Sequence, residues 1–451
     1  MCYTNIKGGA AVKKRTKACI CLFLAALILS GCSMQPVSQM YKLPKRSDDY
    51  NNLQAVLDSA MIGLSFSAPL TGENQQSVQM ADVDGDTMQE YLVFAKGTSE
   101  LPLRILIFDR LDDVFVHTDT IVSNGAAFDQ VEYMNMDDKP GVEVVVGRQV
   151  SDQLVRSVSV YTFSSGEAEQ VMSANYRKFV PVDMNGNGYS ELFVLRPGSM
   201  EAENGVAELY SMETGIMERS NEVVMSGPVD KLKRILVGKL HGGKPAVYVA
   251  STVENTSLIT DVFTVVGDML TNVSLSTESG TSVQTLRNYY VYADDMDNDG
   301  IVELPRLITM ISMGGVTDSE PRDMILWYTM TSDGETIDKL YTYFDSVGGW
   351  YLKLDEKLAH RMSVQCLGNI FEFYLWDESY TSAQKLLSIY TLTGQNREEQ
   401  SISDGRFVLL KTDTVTYSAS LEKTAGKYKI TQESLIYDFN LVHQDWNMGE
   451  M

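Results

Sequence analysis

A nine-residue pattern recurs along this chain and limits what it can fold into. It reads Asp82-Val-Asp-Gly-Asp-Thr-Met-Gln-Glu90, Asn135-Met-Asp-Asp-Lys-Pro-Gly-Val-Glu143, Asp183-Met-Asn-Gly-Asn-Gly-Tyr-Ser-Glu191 and Asp295-Met-Asp-Asn-Asp-Gly-Ile-Val-Glu303. A decayed copy, Leu240-His-Gly-Gly-Lys-Pro-Ala-Val-Tyr248, falls between the last two. Successive starts lie 48 to 57 residues apart. A constant period of this size means one supersecondary unit used repeatedly, each unit burying its apolar face against the next.

Each copy sits between short apolar runs. Those before it fall at 77–80, 130–134 and 179–182, and those after it at 91–94, 144–146 and 192–195. Two further β-rich runs follow in each unit, at 103–108 and 114–118 in the first and 157–163 and 168–174 in the second. Asn-Gly, Asp-Gly and Ser-Gly pairs punctuate them, as in antiparallel meanders. Four strands per repeat is the blade of a β-propeller. The units resemble FG-GAP or VCBS-type repeats, the integrin-α-like propeller blades also found in bacterial surface proteins. The expected fold is therefore an all-β propeller over 75–430, with seven blades favoured over six. Short helices are expected at 48–61 and 432–444, and a strand at 64–70 that joins the last blade and closes the ring. The expected segments are 1–31 leader, 32–49 tether, 50–74 helix and closing strand, and 431–451 helical tail.

In the copy at 295–303, Asp295, Asp297, Asp299 and Glu303 fill positions 1, 3, 5 and 9, with Gly300 allowing a sharp turn at position 6. Alternate carboxylates on a tight loop converge, which suits a hard cation taking six to eight oxygens, Ca²⁺ above all. An EF-hand would place its last glutamate at position 12 between helices; here it opens a strand. By resemblance the same roles pass to Asp82, Asp84, Asp86 and Glu90, where Thr87 replaces the glycine. They pass also to Asp183, Asn185, Asn187 and Glu191, with fewer charges. At 135–143 Lys139 stands where a cation would, and 240–248 keeps no ligand. This grading favours structural calcium over a catalytic metal.

The start of the chain reads as an address. Lys7, Lys13, Lys14, Arg15 and Lys17 precede an apolar run at 18–29 that ends in Ser30-Gly31-Cys32. That is a secretory leader, too short to span a bilayer. Leu29-Ser30-Gly31-Cys32 resembles the bacterial lipoprotein box, which implies a diacylglyceryl group on Cys32 as the membrane anchor and an extracytoplasmic location. Two acyl chains anchor stably where one does not. With 37 Lys and Arg against 60 Asp and Glu, a formal charge of −23 argues against nucleic acid as a partner.

Catalytic signatures are missing. His117, His241, His360 and His443 are widely separated, and no nucleophile elbow or phosphate-binding loop follows a strand. Ser382–Lys385 and Ser420–Lys423 match a four-residue serine-lysine pattern without partner motifs. Cys366 reads as a structural cysteine. All four tryptophans, Trp327, Trp350, Trp376 and Trp446, fall in the last third with many tyrosines and phenylalanines, which favours blade core over a contact surface. The reading is a non-catalytic binding or scaffold module for a protein or carbohydrate ligand. A surface enzyme acting on polysaccharide and a structural subunit of an envelope assembly are the alternatives.

Overall fold

The structure is a computed structural model. It describes residues 48–442 apart from 113, 151–154, 164–165, 199–202, 214, 255–256, 290 and 314–321. The leader, residues 32–47 of the tether with Cys32, His443 and Trp446 lie outside the described residues.

The chain is all-β, in six antiparallel sheets of four or five strands that follow one another in sequence. Sheets two, three and four are simple meanders: Ala127–Met134 to Glu169–Tyr176, Lys178–Val182 to Ile216–Val224, and Leu232–Lys239 to Met269–Asn272. The second strand of each meander explains the apolar runs after the acidic pattern. Glu143–Gln149 is buried at every position but its last, because a neighbouring sheet covers each of its faces. Outer strands such as Ile216–Val224 expose most of their residues.

Strand alternation divides these central residues between two neighbours. Val144 and Val146 pack with Leu92, Phe94, Ile105 and Ile107 of sheet one, while Val145 packs with Phe179, Leu192 and Val194 of sheet three. Leu192 and Val194 thus face sheet two, and Phe193 and Leu195 face Val247, Val249 and Phe263 of sheet four. Ala246 and Tyr248 face Leu304, Tyr328 and Met330 of sheet five, which in turn shares a large aromatic cluster with sheet six. Sheet packing in strict chain order is propeller-like, and each apolar run is long because it serves two interfaces.

The 64–70 segment contributes Ser65–Phe66, which pairs with Ala95 and Lys96 of sheet one, not with the last sheet. Dividing the chain by its repeat length favours seven blades; the described residues form six sheets. The surplus length goes elsewhere. Sheet six runs from Met362 to Leu421 and departs from meander order, with Val415–Leu421 between Ala383–Thr393 and Phe407–Lys411. The helix Gln432–Asp438 then returns Phe439–Leu441 to the edge of sheet five, against Trp350–Leu352.

The N-terminal helix runs Asp48–Ala60. It groups with Arg110–Val116 as one unit, within which the Phe115 amide donates to Asn52 Oδ1 at 2.6 Å. Met61–Asp109 and the chain from His117 onward form the other unit, which holds the rest of the six sheets. Among the described residues no helix is long and apolar enough to cross a membrane. Trp327, Trp350 and Phe373 are fully buried, and most of the aromatic residues around them are buried.

Candidate metal centre in the acidic turns

Three of the acidic turns join consecutive paired strands, and the fourth is closed by an isolated bridge just before Leu304–Thr309, the first strand of sheet five. Ala81 pairs with Glu90, Met134 with Glu143, Val182 with Glu191 and Asp294 with Glu303, so each turn spans the same eight positions. In the decayed copy Lys239 pairs with Pro245, which leaves a turn of only five residues. Tyr248, matched to the glutamates by sequence, therefore lies well inside the following strand.

Adjacent turns are stitched through the backbone. The Val142 amide donates to the Asp82 carbonyl at 3.1 Å, Ser190 to Asn135 at 2.8 Å, and Val302 to Lys239 at 3.0 Å. Contact at the first junction is so close that a Cβ on Gly85 would lie 2.3 Å from Pro140 Cβ.

The position-9 glutamate closes its turn. Its Oε2 accepts the backbone N–H of position 2: Val83 to Glu90 at 2.7 Å, Met136 to Glu143 at 2.9 Å, Met184 to Glu191 at 2.7 Å, and Met296 to Glu303 at 2.8 Å. The position-1 aspartate bends the backbone by accepting amides further on. Asp82 takes Gly85 and Thr87, Asp183 takes Gly186, Asn187 and Gly188, and Asp295 takes Asp299 and Gly300. Such side-chain turns are what Asp and Asn favour. Position 6 has positive φ in all three, +89° at Gly188, +81° at Gly300 and +77° at Thr87. Thr87 thus adopts the glycine conformation despite its branched side chain, at a cost of about 1–3 kcal/mol.

Two turns assemble a carboxylate cluster. Asp82, Asp84 and Asp86 each bring an oxygen within 4.8 Å of the others, and so do Asp295, Asp297 and Asp299. In these same two turns the glutamate has an unused oxygen. Glu90 is 2% exposed and Glu303 fully buried, and the Oε1 of each has no hydrogen-bond partner. At 183–191 that oxygen is taken, because the Asn185 amide donates to Glu191 Oε1 at 2.6 Å. Asp183, Asn185, Asn187 and Glu191 are thus brought into one turn, but they satisfy one another.

Burial, reinforced by Asp84, Asp109 and Asp82, pushes Glu90 up to about 7. Burial, reinforced by Asp297 and Asp299, pushes Glu303 up to about 8. Burial and the neighbouring Asp86, Asp109 and Asp82 also raise Asp84. The donors are all hard oxygens, the set that suits Ca²⁺ or Mg²⁺ and not a thiolate- or imidazole-seeking metal. An orphaned buried carboxylate oxygen beside three converging aspartates fits a cation that would supply the missing partner.

The structure adds two groups that the pattern did not reveal. Asp109, buried on Leu103–Leu111, contributes negative charge at the first turn. Lys339, on Thr336–Asp345, places its Nζ 2.7 Å from Asp299 Oδ2 and 3.6 Å from Asp297 Oδ2, which holds Asp299 below the usual carboxylate range. Both come from strands distant in sequence and carry no motif. Lys139 behaves as its position suggests, pairing with Asp137 at 3.4 Å beside a cavity of about 360 Å³ that also touches Asn185 and Glu191. The turn richest in ligands by sequence therefore holds an internal competitor for its cation. Replacing Lys339 by methionine should tighten calcium binding at 295–303 by about tenfold, since an ammonium no longer has to be displaced. Calorimetric titration of parent and variant would show it, and equal affinities would count against the competition.

His117, His241 and His360 are exposed and stand on separate segments. Cys366 is half-buried against the sheet-six core, and burial raises its thiol.

No family model matches the chain, and no curated protein does. Among solved structures, a Bacillus licheniformis rhamnogalacturonan lyase PL11 aligns at 11% identity and a TM-score of 0.29, over 72% of this chain and 82% of its own. The rhamnogalacturonan lyase YesW aligns at 10% and 0.30, over 71% and 74%. The Dos1 propeller aligns at 8% and 0.29, over 78% and 81%. Likenesses this loose carry no argument about this chain.

Proposed function

We propose that the chain is a lipid-anchored, extracytoplasmic β-propeller of the FG-GAP/VCBS type, stabilised by Ca²⁺ and serving as a non-catalytic binding or scaffold module. Six sheets packed in chain order are read as six blades. Calcium is supported chiefly by one coincidence: the two turns with three converging aspartates are the turns whose buried glutamate keeps an unpartnered oxygen. A bound cation would supply that oxygen's partner and offset repulsion among the carboxylates, chemistry that holds sheets rather than transforms a substrate. The anchor rests on Leu29-Ser30-Gly31-Cys32 alone.

Thermal unfolding with excess calcium and with chelator tests the metal. A ligand at a hundred times its Kd adds about 2.7 kcal/mol, so Tm should rise by several degrees; superimposable curves would remove calcium from the account. Mass measurement of membrane-extracted protein tests the anchor. A diacylglyceryl adduct on a chain beginning at Cys32 is expected, and Cys32→Ala should lose it.

A further inference from the structure

We infer that the two carboxylate clusters form a graded pair. The turn at 82–90 takes calcium first, with Asp109 as a fifth carboxylate, and the turn at 295–303 takes it only by displacing the Lys339 ammonium. This rests on the calcium reading above and adds the order in which the two turns fill.

The third turn shows where the spare glutamate oxygen points. In each turn that keeps the glutamate, Oε2 holds the N–H of position 2. Glu191 turns its other oxygen inward, where it accepts the position-3 Asn185 amide at 2.6 Å. The same geometry turns Oε1 of Glu90 toward Asp84 and Oε1 of Glu303 toward Asp297. Asp84 is the strongest of the charges acting on Glu90, and Asp297 of those acting on Glu303. Both oxygens are buried without a hydrogen-bond partner. A carboxylate that faces another across a tight turn is repelled unless a cation stands between them.

Strand register sets the two turns apart. Tyr91 pairs with Phe108, which puts Asp109 opposite Glu90 on the same face of sheet one. The matching residue is Thr162 opposite Glu143, Ser211 opposite Glu191 and Thr329 opposite Glu303. Three sheets place a hydroxyl there and one places a carboxylate. Asp109 is 8% exposed, and its charge acts on both Asp84 and Glu90. Calcium affinity of an all-oxygen site is tuned by the charge its ligands carry.

The turn at 295–303 is biased the other way. Trp327 pairs with Leu340 and Tyr328 with Asp338, so Lys339 is the extra residue of a β-bulge. Bulges re-aim side chains, and the extra residue in sheet two is the apolar Val171. Here it carries an ammonium to Asp299 and Asp297, at 2.7 and 3.6 Å. Those two oxygens must let go of Lys339 before they can close on an ion. Five carboxylates therefore serve the first turn, and four carboxylates with an ammonium serve the other.

The test is calorimetric titration of the chelated and dialysed whole chain with calcium. Two classes of site should appear, at least about tenfold apart in affinity. Glu90→Gln should remove the tight class and Glu303→Gln the weak one. Asp109→Asn should weaken the tight class by about tenfold and leave the weak class alone, while its chelated form melts no lower than the parent. If that variant melts too low to titrate, the order of the classes in the two glutamine variants decides. Equal affinities, loss of the tight class with Glu303→Gln, or a folded Asp109→Asn that keeps the tight class unchanged would overturn the inference. The calcium reading fails separately, if the parent takes up no calcium in these titrations.

Discussion

Replacing Glu90 and Glu303 together by glutamine should leave the chelated protein as stable as the parent near pH 5, make it more stable near pH 8, and abolish its response to calcium. Each amide oxygen can still accept the N–H of Val83 or Met296, so both turns stay closed. The parent differs because its carboxyls are pushed up to about 7 and about 8 by burial and by the aspartates around them. Between the ordinary carboxylate range and those values the native state binds more protons than the unfolded chain, so stability falls as pH rises through that window. Ionising either carboxyl in place costs on the order of 3 kcal/mol, and the parent's Tm should trail the variant's by roughly 5 °C or more at the alkaline end. Calcium, supplying the charge the site lacks, should reverse the parent's loss, and its stabilising increment should grow with pH. Urea unfolding at intervals from pH 5 to pH 8 would decide it. A parent whose stability is flat across that range, or a variant that still answers to calcium, would refute the scheme.

Trp350→Ala should cost about 3–5 kcal/mol, the range for deleting a fully buried large aromatic side chain. The indole is completely enclosed, edge-on to Phe371 at 5.0 Å, stacked with Phe439 at 5.3 Å and tilted to Tyr343 at 5.7 Å. Those partners belong to sheet six, to the returning C-terminal strand and to sheet five itself. One cavity would therefore loosen three elements together. Since a domain's whole stability is about 5–15 kcal/mol, the variant should unfold at markedly lower urea concentration; a loss below about 1 kcal/mol would mean the cluster is not a unit.

The repeat was readable because its chemistry is local. Asp295, Gly300 and Glu303 lie on one turn, and the turn's hydrogen bonds run between residues at most seven apart. The strands beside it were readable because burial on both faces leaves an uninterrupted apolar run. What escaped the sequence is what the chain brings from afar. Lys339 reaches Asp299 across forty residues, and Asp109 enters the first turn from the third strand of the contiguous meander. The decayed turn shows another limit: residue identity placed Tyr248 with the glutamates, whereas strand register puts Pro245 at that place. Composition marks the aromatic last third as core, and the burial of Trp327, Trp350 and Phe373 agrees.

The backbone stitches between successive turns make length a shared property rather than a private one. Val142 and Ser190, each one residue before its glutamate, hold the carbonyl that opens the preceding turn, whereas Val302 grips Lys239, one residue earlier than that opening, where the upstream turn is short. A change of length in one turn moves the handhold of the next, as at Lys239, where the five-residue turn is gripped one residue earlier. Ligands can thus be lost one turn at a time while the frame endures, which is the pattern this chain displays from Asp82 to Glu303.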